Sequence, residues 1–210
     1  MVVSAFKRLF EVVSDPFDFA GQTVIVTGGS RGLGRAMAIG LAAQGANLII
    51  ASRNILACSK VVDEVLEIGS NAVALEFDAA EWSGMDDFVE RAWREFGRID
   101  VLINNAGLSQ KPCTSIDLTE EAFDAVMAVN FKGAFRLSAL VGSRMVRQGS
   151  GSIINISSLG SIRPAPSYIV YAAAKAALNA ITTAHALEFA PQVRVNAIMP
   201  GAFETDMAAD

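Results

Sequence analysis

From Gln22 onward the chain alternates short apolar runs with longer stretches whose apolar positions recur every three or four residues. Residues 23–26, 47–51, 72–77, 99–103, 152–156 and 193–198 read as strands. Between them, residues 32–44, 55–68, 85–96, a long stretch from about 120 to 147, and 168–189 read as helices, with Gly45, Gly69 and Gly97 as stop signals. The strand runs are continuously apolar rather than alternating, which means burial on both faces. Strict strand–helix alternation of that kind predicts an α/β fold: a parallel sheet, doubly wound, with helices on both sides. In such a sheet ligands bind at the carboxyl ends of the strands, so the residues just after each strand are the ones to inspect.

Residues 1–16 stand apart as an N-terminal extension to a single domain over 17–210. Val2, Phe6, Leu9 and Val13 recur at helical spacing, with Phe10 beside them and Pro16 as a terminator. A short helix packed on the domain accounts for this stripe, and a docking helix for a partner or membrane surface is the sharper alternative.

Composition narrows the class. The chain has 210 residues, 52% of them hydrophobic, which suits one full core. The net charge of -5 and the lack of a basic stripe argue against nucleic acid as a partner. Two cysteines, Cys58 and Cys113, form no C-x-x-C pair, and the single histidine, His185, cannot complete a zinc site, so no metal is expected. Two isolated thiols fit a reducing compartment. No stretch reaches the ~20 apolar residues of a membrane span, and Lys7, Arg8, Glu11 and Asp15 spoil a signal peptide. The expectation is a soluble cytoplasmic protein. His185, Trp82 and Trp93 read as packing residues.

The first strand runs into TGGSRGLG, Thr27 to Gly34. Glycines there allow a tight turn and close approach to a pyrophosphate, at which the following helix points its free N–H groups. After the second strand an NAD site usually places an acid against the ribose 2′-OH. Here the strand ends in Ser52-Arg53-Asn54. Arg53 would offer a planar cation to a 2′-phosphate, and Arg31 can reach the same group. Both arginines also suit a solvated surface. Together with the missing acid they point to NADP(H) rather than NAD(H).

Tyr171 and Lys175 lie four apart on one predicted helix face, after the Ser157-Ser158 pair. A tyrosine with a pKa of about 10 is a poor base near neutrality. An ammonium about 4 Å away is worth at most roughly 4 kcal/mol, which would bring the phenol toward the working range of a general acid–base. Ser158 is placed to hydrogen-bond the substrate oxygen.

These residues resemble the short-chain dehydrogenase/reductase family in its shorter-chain branch, over residues 17–207. The resemblance implies that the turn residues Thr27, Gly28, Ser30, Arg31, Gly32, Leu33 and Gly34 hold the cofactor together with Arg53. It implies that Asp78 contacts the adenine and that Asn104-Asn105-Ala106-Gly107 shapes the cofactor cleft. Asn130 matches the helix asparagine that holds a relay water, and Ser158 suits the catalytic serine better than Ser157. Tyr171 and Lys175 match YxxxK, with Lys175 also binding the nicotinamide ribose. Pro200, Gly201, Phe203 and Thr205 match the segment that orients the carboxamide.

The activity so implied is hydride transfer between NADP and a carbonyl or secondary alcohol, on a small molecule such as a 3-oxoacyl thioester, a sugar acid or a polyol. A homodimer or homotetramer is implied on the same analogy. Family members continue for some tens of residues beyond this point, so the chain reads as a fragment or truncated product. A non-catalytic NADP-binding protein or an inactive truncated member is the alternative. A nucleotide-sugar epimerase would instead show T-G-x-x-G-x-x-G.

Overall fold

The structure is a computed structural model that describes residues 17–110 and 112–203. The expected N-terminal helix and Thr205 lie outside them. Six strands, β1 (Thr23–Thr27), β2 (Asn47–Ser52), β3 (Ala72–Glu76), β4 (Val101–Asn104), β5 (Gly151–Ile156) and β6 (Val193–Ile198), form one sheet in the order β3-β2-β1-β4-β5-β6. Every pairing is parallel. The order reverses between β1 and β4, and the crevice at a topological switch point opens there.

The helices are α1 (Gly32–Ala42), α2 (Ile55–Ile68), α3 (Met85–Phe96), α4 (Glu120–Met127), α5 (Gly133–Gln148) and α6 (Ile169–Glu188). Alternate strand residues feed two cores. Val24, Val26, Leu48, Ile50 and Ile103 pack on one face with Ala38 of α1 and Val61 and Val65 of α2. Ile25, Ile49, Leu102 and Ile153 pack on the other with Phe88 of α3 and Leu137, Val141 and Met145 of α5. Two-sided burial of this kind is why the strands read as unbroken apolar runs. Among the described residues no helix is long and apolar enough to cross a membrane, and no cluster of His, Cys, Asp and Glu could hold a metal.

Three differences from the expectation go beyond a single residue at an element's end. The α1 helix stops at Ala42, before Gln44, and the chain turns back through Gly45 at φ +86°. Strand β4 starts at Val101 rather than Ile99, because the carboxylate of Asp100, held by Arg98, accepts the Thr23 amide at 2.9 Å in place of a backbone partner. The long helix expected over 120–147 is three pieces: α4, a π turn over Ala128–Lys132, and α5. The wider turn carries Asn130 inward, where its Nδ2 takes up the Val126 carbonyl at 2.9 Å. Such π turns concentrate at functional sites because they re-aim one side chain without ending the helix.

Candidate active site

All six strands end on one cavity of about 920 Å³. Its floor is the glycine turn after β1. Gly28 sits at φ +63°, and a Cβ there would meet the Ala106 Cα and Asn105 Nδ2 at 3.0 Å. A Cβ on Gly34 would lie 2.2 Å from the Gly28 carbonyl oxygen. The turn is therefore drawn tight against the segment after β4 and leaves bare backbone toward the cavity. The α1 helix begins on extended Arg31 with no side-chain cap and no acid in its first turn. Uncapped amides at a helix start favour an anion.

The β1 and β4 ends are clamped together. The Thr27 hydroxyl accepts the amides of Asn105 and Ala106, each at 3.0 Å, and donates to the Ile103 carbonyl at 3.3 Å. Asn105 Nδ2 donates back to the Thr27 carbonyl at 2.9 Å. Below them a buried ladder runs from Ser138 through Asn104 and Asn155 to Thr182, with links of 2.8, 2.8 and 2.9 Å. At the β2 end, the Ser52 hydroxyl is tied to the Asn54 backbone, Asn54 caps α2 by accepting the Ala57 amide at 3.0 Å, and Arg53 is left at the cavity rim with Arg31. At the β3 end Asp78 lines the cavity, its carboxylate accepting the Ala80 amide. Gly133 packs so closely on this loop that a Cβ would stand 1.9 Å from the Ala79 oxygen. The β5 and β6 ends are joined by Leu159 N–H to the Pro200 carbonyl at 2.9 Å.

Tyr171, Lys175 and Ser158 share the inner wall of this cavity. Lys175 is 3% exposed, and its Nζ donates to the Ile156 carbonyl at 2.7 Å while standing 5.7 Å from the centroid of the Tyr171 ring. Burial lowers Lys175 to about 8. Burial also raises the Tyr171 phenol, and a hydrogen bond with Ser158 pulls it back in part. In the free chain the Lys175 ammonium is engaged by a carbonyl, and desolvation is the largest influence on the phenol. Ser157 is buried and donates to the Lys175 carbonyl at 3.2 Å, which leaves Ser158 as the serine at the cavity.

Of the expected site residues, Gly28, Ser30, Arg31, Gly32, Leu33, Gly34, Arg53, Asp78, Asn105, Ala106, Gly107, Ser158, Tyr171, Lys175, Pro200, Gly201 and Phe203 line the cavity. Two are placed elsewhere. Thr27 is buried beneath the turn as the clamp just described, and Asn130 is 1% exposed. The Asn130 side chain bridges α4 to the loop after β4, donating to the Leu108 carbonyl at 2.6 Å and accepting the Leu108 amide at 3.3 Å. His185 is stacked between Phe135 and Phe189, at 5.4 and 5.1 Å between ring centroids.

The sequence reading missed Ile55 and Leu56, which line the cavity at the start of α2. The Asn54 cap directly after β2 was the available signal, because it forces the first helical turn into the crevice. It also missed Phe77, Ala79, Leu108 and Val129, apolar wall residues that no polar motif marks.

The short chain dehydrogenase family matches residues 22–210. The 2-dehydro-3-deoxy-D-gluconate 5-dehydrogenase of Dickeya dadantii is 34% identical over 197 residues, 93% of this chain and 77% of that protein. The 3-oxoacyl-[acyl-carrier-protein] reductase of a Synechocystis species is 36% identical over 188 residues, 89% and 76% of the two chains. Among solved structures, a metagenomic short-chain oxidoreductase in complex with NADP superposes with a TM-score of 0.84 at 32% identity, over 88% of this chain and 84% of that one. An NAD+-bound xylitol dehydrogenase superposes at 0.85 and 33%, over 87% and 71%.

Proposed function

This chain belongs to the short chain dehydrogenase family of oxidoreductases, and we propose that it uses NADP(H) to interconvert a carbonyl and a secondary alcohol, with Tyr171 as the general acid–base. The observation that carries this reading is the meeting of Tyr171, Lys175 and Ser158 on the cavity whose floor is the glycine turn. When bound, NADP supplies the hydride.

The residues divide the remaining work. The glycine turn from Gly28 to Gly34 and the start of α1 hold the pyrophosphate. Arg31 and Arg53 at the rim hold the 2′-phosphate, as planar donors suited to a phosphate fork. Asp78 faces the adenine, Asn105, Ala106 and Gly107 wall the cleft, and Pro200, Gly201 and Phe203 face the nicotinamide side. The Ser158 hydroxyl donates to the substrate oxygen, and the Tyr171 hydroxyl gives that oxygen its proton in reduction or takes it back in oxidation. Lys175 holds the ribose and, when its ammonium turns from the Ile156 carbonyl toward the phenol oxygen, favours the phenolate. Asn130 keeps the loop after β4 in register with α4 and supports the proton route.

NADPH oxidation in the presence of carbonyl compounds, followed by nicotinamide absorbance, tests the reading. Turnover with NADPH at least tenfold more efficient than with NADH supports it. Equal use of both would remove the NADP preference and keep the oxidoreductase, and cofactor binding without turnover on any carbonyl would favour a non-catalytic role.

The homo-oligomer expected from the family has support in Phe135 and Leu187, 37% and 78% exposed on α5 and α6. A single monomer-sized species by light scattering would remove it.

A further inference from the structure

Tyr171, Lys175 and Asn179 follow one another at intervals of four along α6, so one helix face carries all three. The first two line the cavity. Asn179 lies one turn further on, against the two segments that leave β5 and β6. Its Nδ2 donates to the Ser161 hydroxyl at 2.8 Å and lies 3.7 Å from the Met199 sulfur. Ser161 closes the short 3₁₀ turn Leu159–Ser161, which Ser158 begins as its N-cap. Met199 directly precedes Pro200 and Gly201 at the cavity.

Proton counting fixes the direction of these bonds. Ser161 Oγ lies 2.6 Å from the Ser158 carbonyl oxygen, which can only accept. The one hydroxyl proton of Ser161 is committed to that carbonyl, so toward Asn179 the hydroxyl can only accept. Asn179 must therefore present Nδ2 to Ser161 and turn Oδ1 away, where that oxygen is buried with no hydrogen-bond partner among the described residues. An orphaned buried oxygen costs the fold stability. An apolar residue of similar size would avoid that cost, so packing does not account for an amide here, whereas its donor does. The effect of the donor ends on Ser158. The Ser158 carbonyl accepts both the hydroxyl and, at 3.0 Å, the amide of Ser161, while Ser158 Oγ accepts the Gly160 amide at 3.1 Å. Backbone and side chain of Ser158 are thus both held, with its hydroxyl in a hydrogen bond to Tyr171.

We propose that Asn179 is a positioning residue that, through Ser161, sets the Ser158 hydroxyl against Tyr171 and the substrate oxygen. What Ser158 does for the substrate rests on the oxidoreductase reading given above. What holds Ser158 rests on the hydrogen bonds alone. One face of α6 then carries the phenol, the ammonium and the strut for the serine, so the spacing of the three groups is set by a single rigid element.

The tyrosine content allows a test that does not depend on turnover. The chain has two tyrosines, Tyr168 and Tyr171. Labelling with 3-fluorotyrosine, whose phenol is more acidic than that of tyrosine, gives two fluorine resonances that Tyr168→Phe assigns. Fluorine NMR of the full chain then reads the midpoint of the Tyr171 titration. The Ser158 hydrogen bond pulls the phenol down, so Ser158→Ala should raise that midpoint. Asn179→Leu and Ser161→Ala are each expected to raise it by at least half as much, and the double variant no further than the larger single. Ser161→Thr keeps the hydroxyl and should leave the midpoint in place. Lys175, the cation beside the phenol, is common to all these variants. With 9,10-phenanthrenequinone as the carbonyl probe, kcat for NADPH oxidation should fall at least tenfold in Asn179→Leu, while the KM for NADPH stays within twofold. A Tyr171 midpoint that Asn179→Leu and Ser161→Ala leave in place, or that Ser158→Ala itself does not move, would overturn the proposal, as would an unchanged kcat in Asn179→Leu. Absence of turnover in the unmodified chain would count against the oxidoreductase reading alone, and the fluorine titration would then decide the positioning by itself.

Discussion

The Lys175 ammonium stands 5.7 Å from the centroid of the Tyr171 ring and donates its hydrogen bond, at 2.7 Å, to the carbonyl of Ile156. The cation is thus anchored to a backbone carbonyl beside the phenol ring. Burial lowers Lys175 from 10.5 to about 8, and the linkage has a definite sign. Between about 8 and 10.5 the unfolded chain still binds this proton and the folded chain has released it, so stability rises with pH across that window. The full difference is on the order of 3 kcal/mol. Burial raises the Tyr171 phenol, so near the free phenol's pKa of about 10 the unfolded chain releases that proton first and Tyr171 adds a trend of the opposite sign. Lys175→Met should therefore unfold at higher urea than the unmodified chain at pH 7, with the gap closing by pH 10. A gap that stays constant with pH would show that the buried lysine is not released from its proton. Turnover should be lost in the variant at every pH.

Replacing Tyr171 with Phe removes one hydroxyl and keeps the ring that packs with Val126, Val170 and Ala174. The fold and NADPH affinity should be retained, while kcat falls by about 10²–10⁴, the span of general acid–base catalysis. Single-turnover NADPH oxidation measures this directly. Unchanged kcat would move the proton-transferring role to another group.

Cofactor choice should follow the rim arginines. Arg53→Ala is expected to weaken NADPH by roughly tenfold, about 1.4 kcal/mol, and to leave NADH unaffected. The NADPH advantage should also shrink with added salt, since both guanidiniums are exposed to solvent. Fluorescence titration of each nucleotide provides the check, and an equal loss for both would assign Arg53 to the shared part of the cofactor.

The backbone of the site tests the glycine cradle. Gly34→Ala sets a Cβ 2.2 Å from a carbonyl that cannot move without opening the turn, so it should cost stability by about 1–3 kcal/mol and abolish nucleotide binding. Gly40 lies in the same helix with open space around it, and Gly40→Ala should stabilise the chain by about 0.5–1 kcal/mol. Urea midpoints of the two variants should therefore move in opposite directions.

Much of this site was legible in the chain because most of its residues follow a strand, while Tyr171 and Lys175 share one helix face. The doubly wound rule brings strand ends together, and 17 of the expected residues meet at one cavity, all but Tyr171 and Lys175 from segments that follow a strand. What was not legible depends on contacts between distant segments. The π turn at Ala128–Lys132 reads as uninterrupted helix, because its helical apolar spacing does not reveal one extra residue in a turn. Thr27 looks like a cofactor contact by its place in the motif, yet its hydroxyl is taken by the amides of Asn105 and Ala106, some 78 residues away. The direction of the Tyr171 shift in the free chain depends on how far the fold buries the phenol, and a spacing of four residues on a helix does not settle that.

The ladder beneath the site supplies the last prediction. Asn155 is fully buried; its oxygen accepts from Asn104 and its amide donates to Thr182, whose hydroxyl passes the chain on to the Leu178 carbonyl at 2.7 Å. These links tie β4, β5 and α6 together under the Ser157-Ser158 turn. Asn155→Leu keeps the volume but leaves a donor on Asn104 and an acceptor on Thr182 short of partners, so it should cost about 1–3 kcal/mol. Thr182→Val similarly strands the Asn155 amide. When both are replaced, the Asn155–Thr182 pair becomes apolar on both sides and one desolvation penalty disappears. The double variant should therefore be less destabilised than the sum of the singles by about 1 kcal/mol or more, read from urea unfolding as a double-mutant cycle. Strict additivity would mean that the two side chains act as separate packing residues and that the ladder is not a connected network.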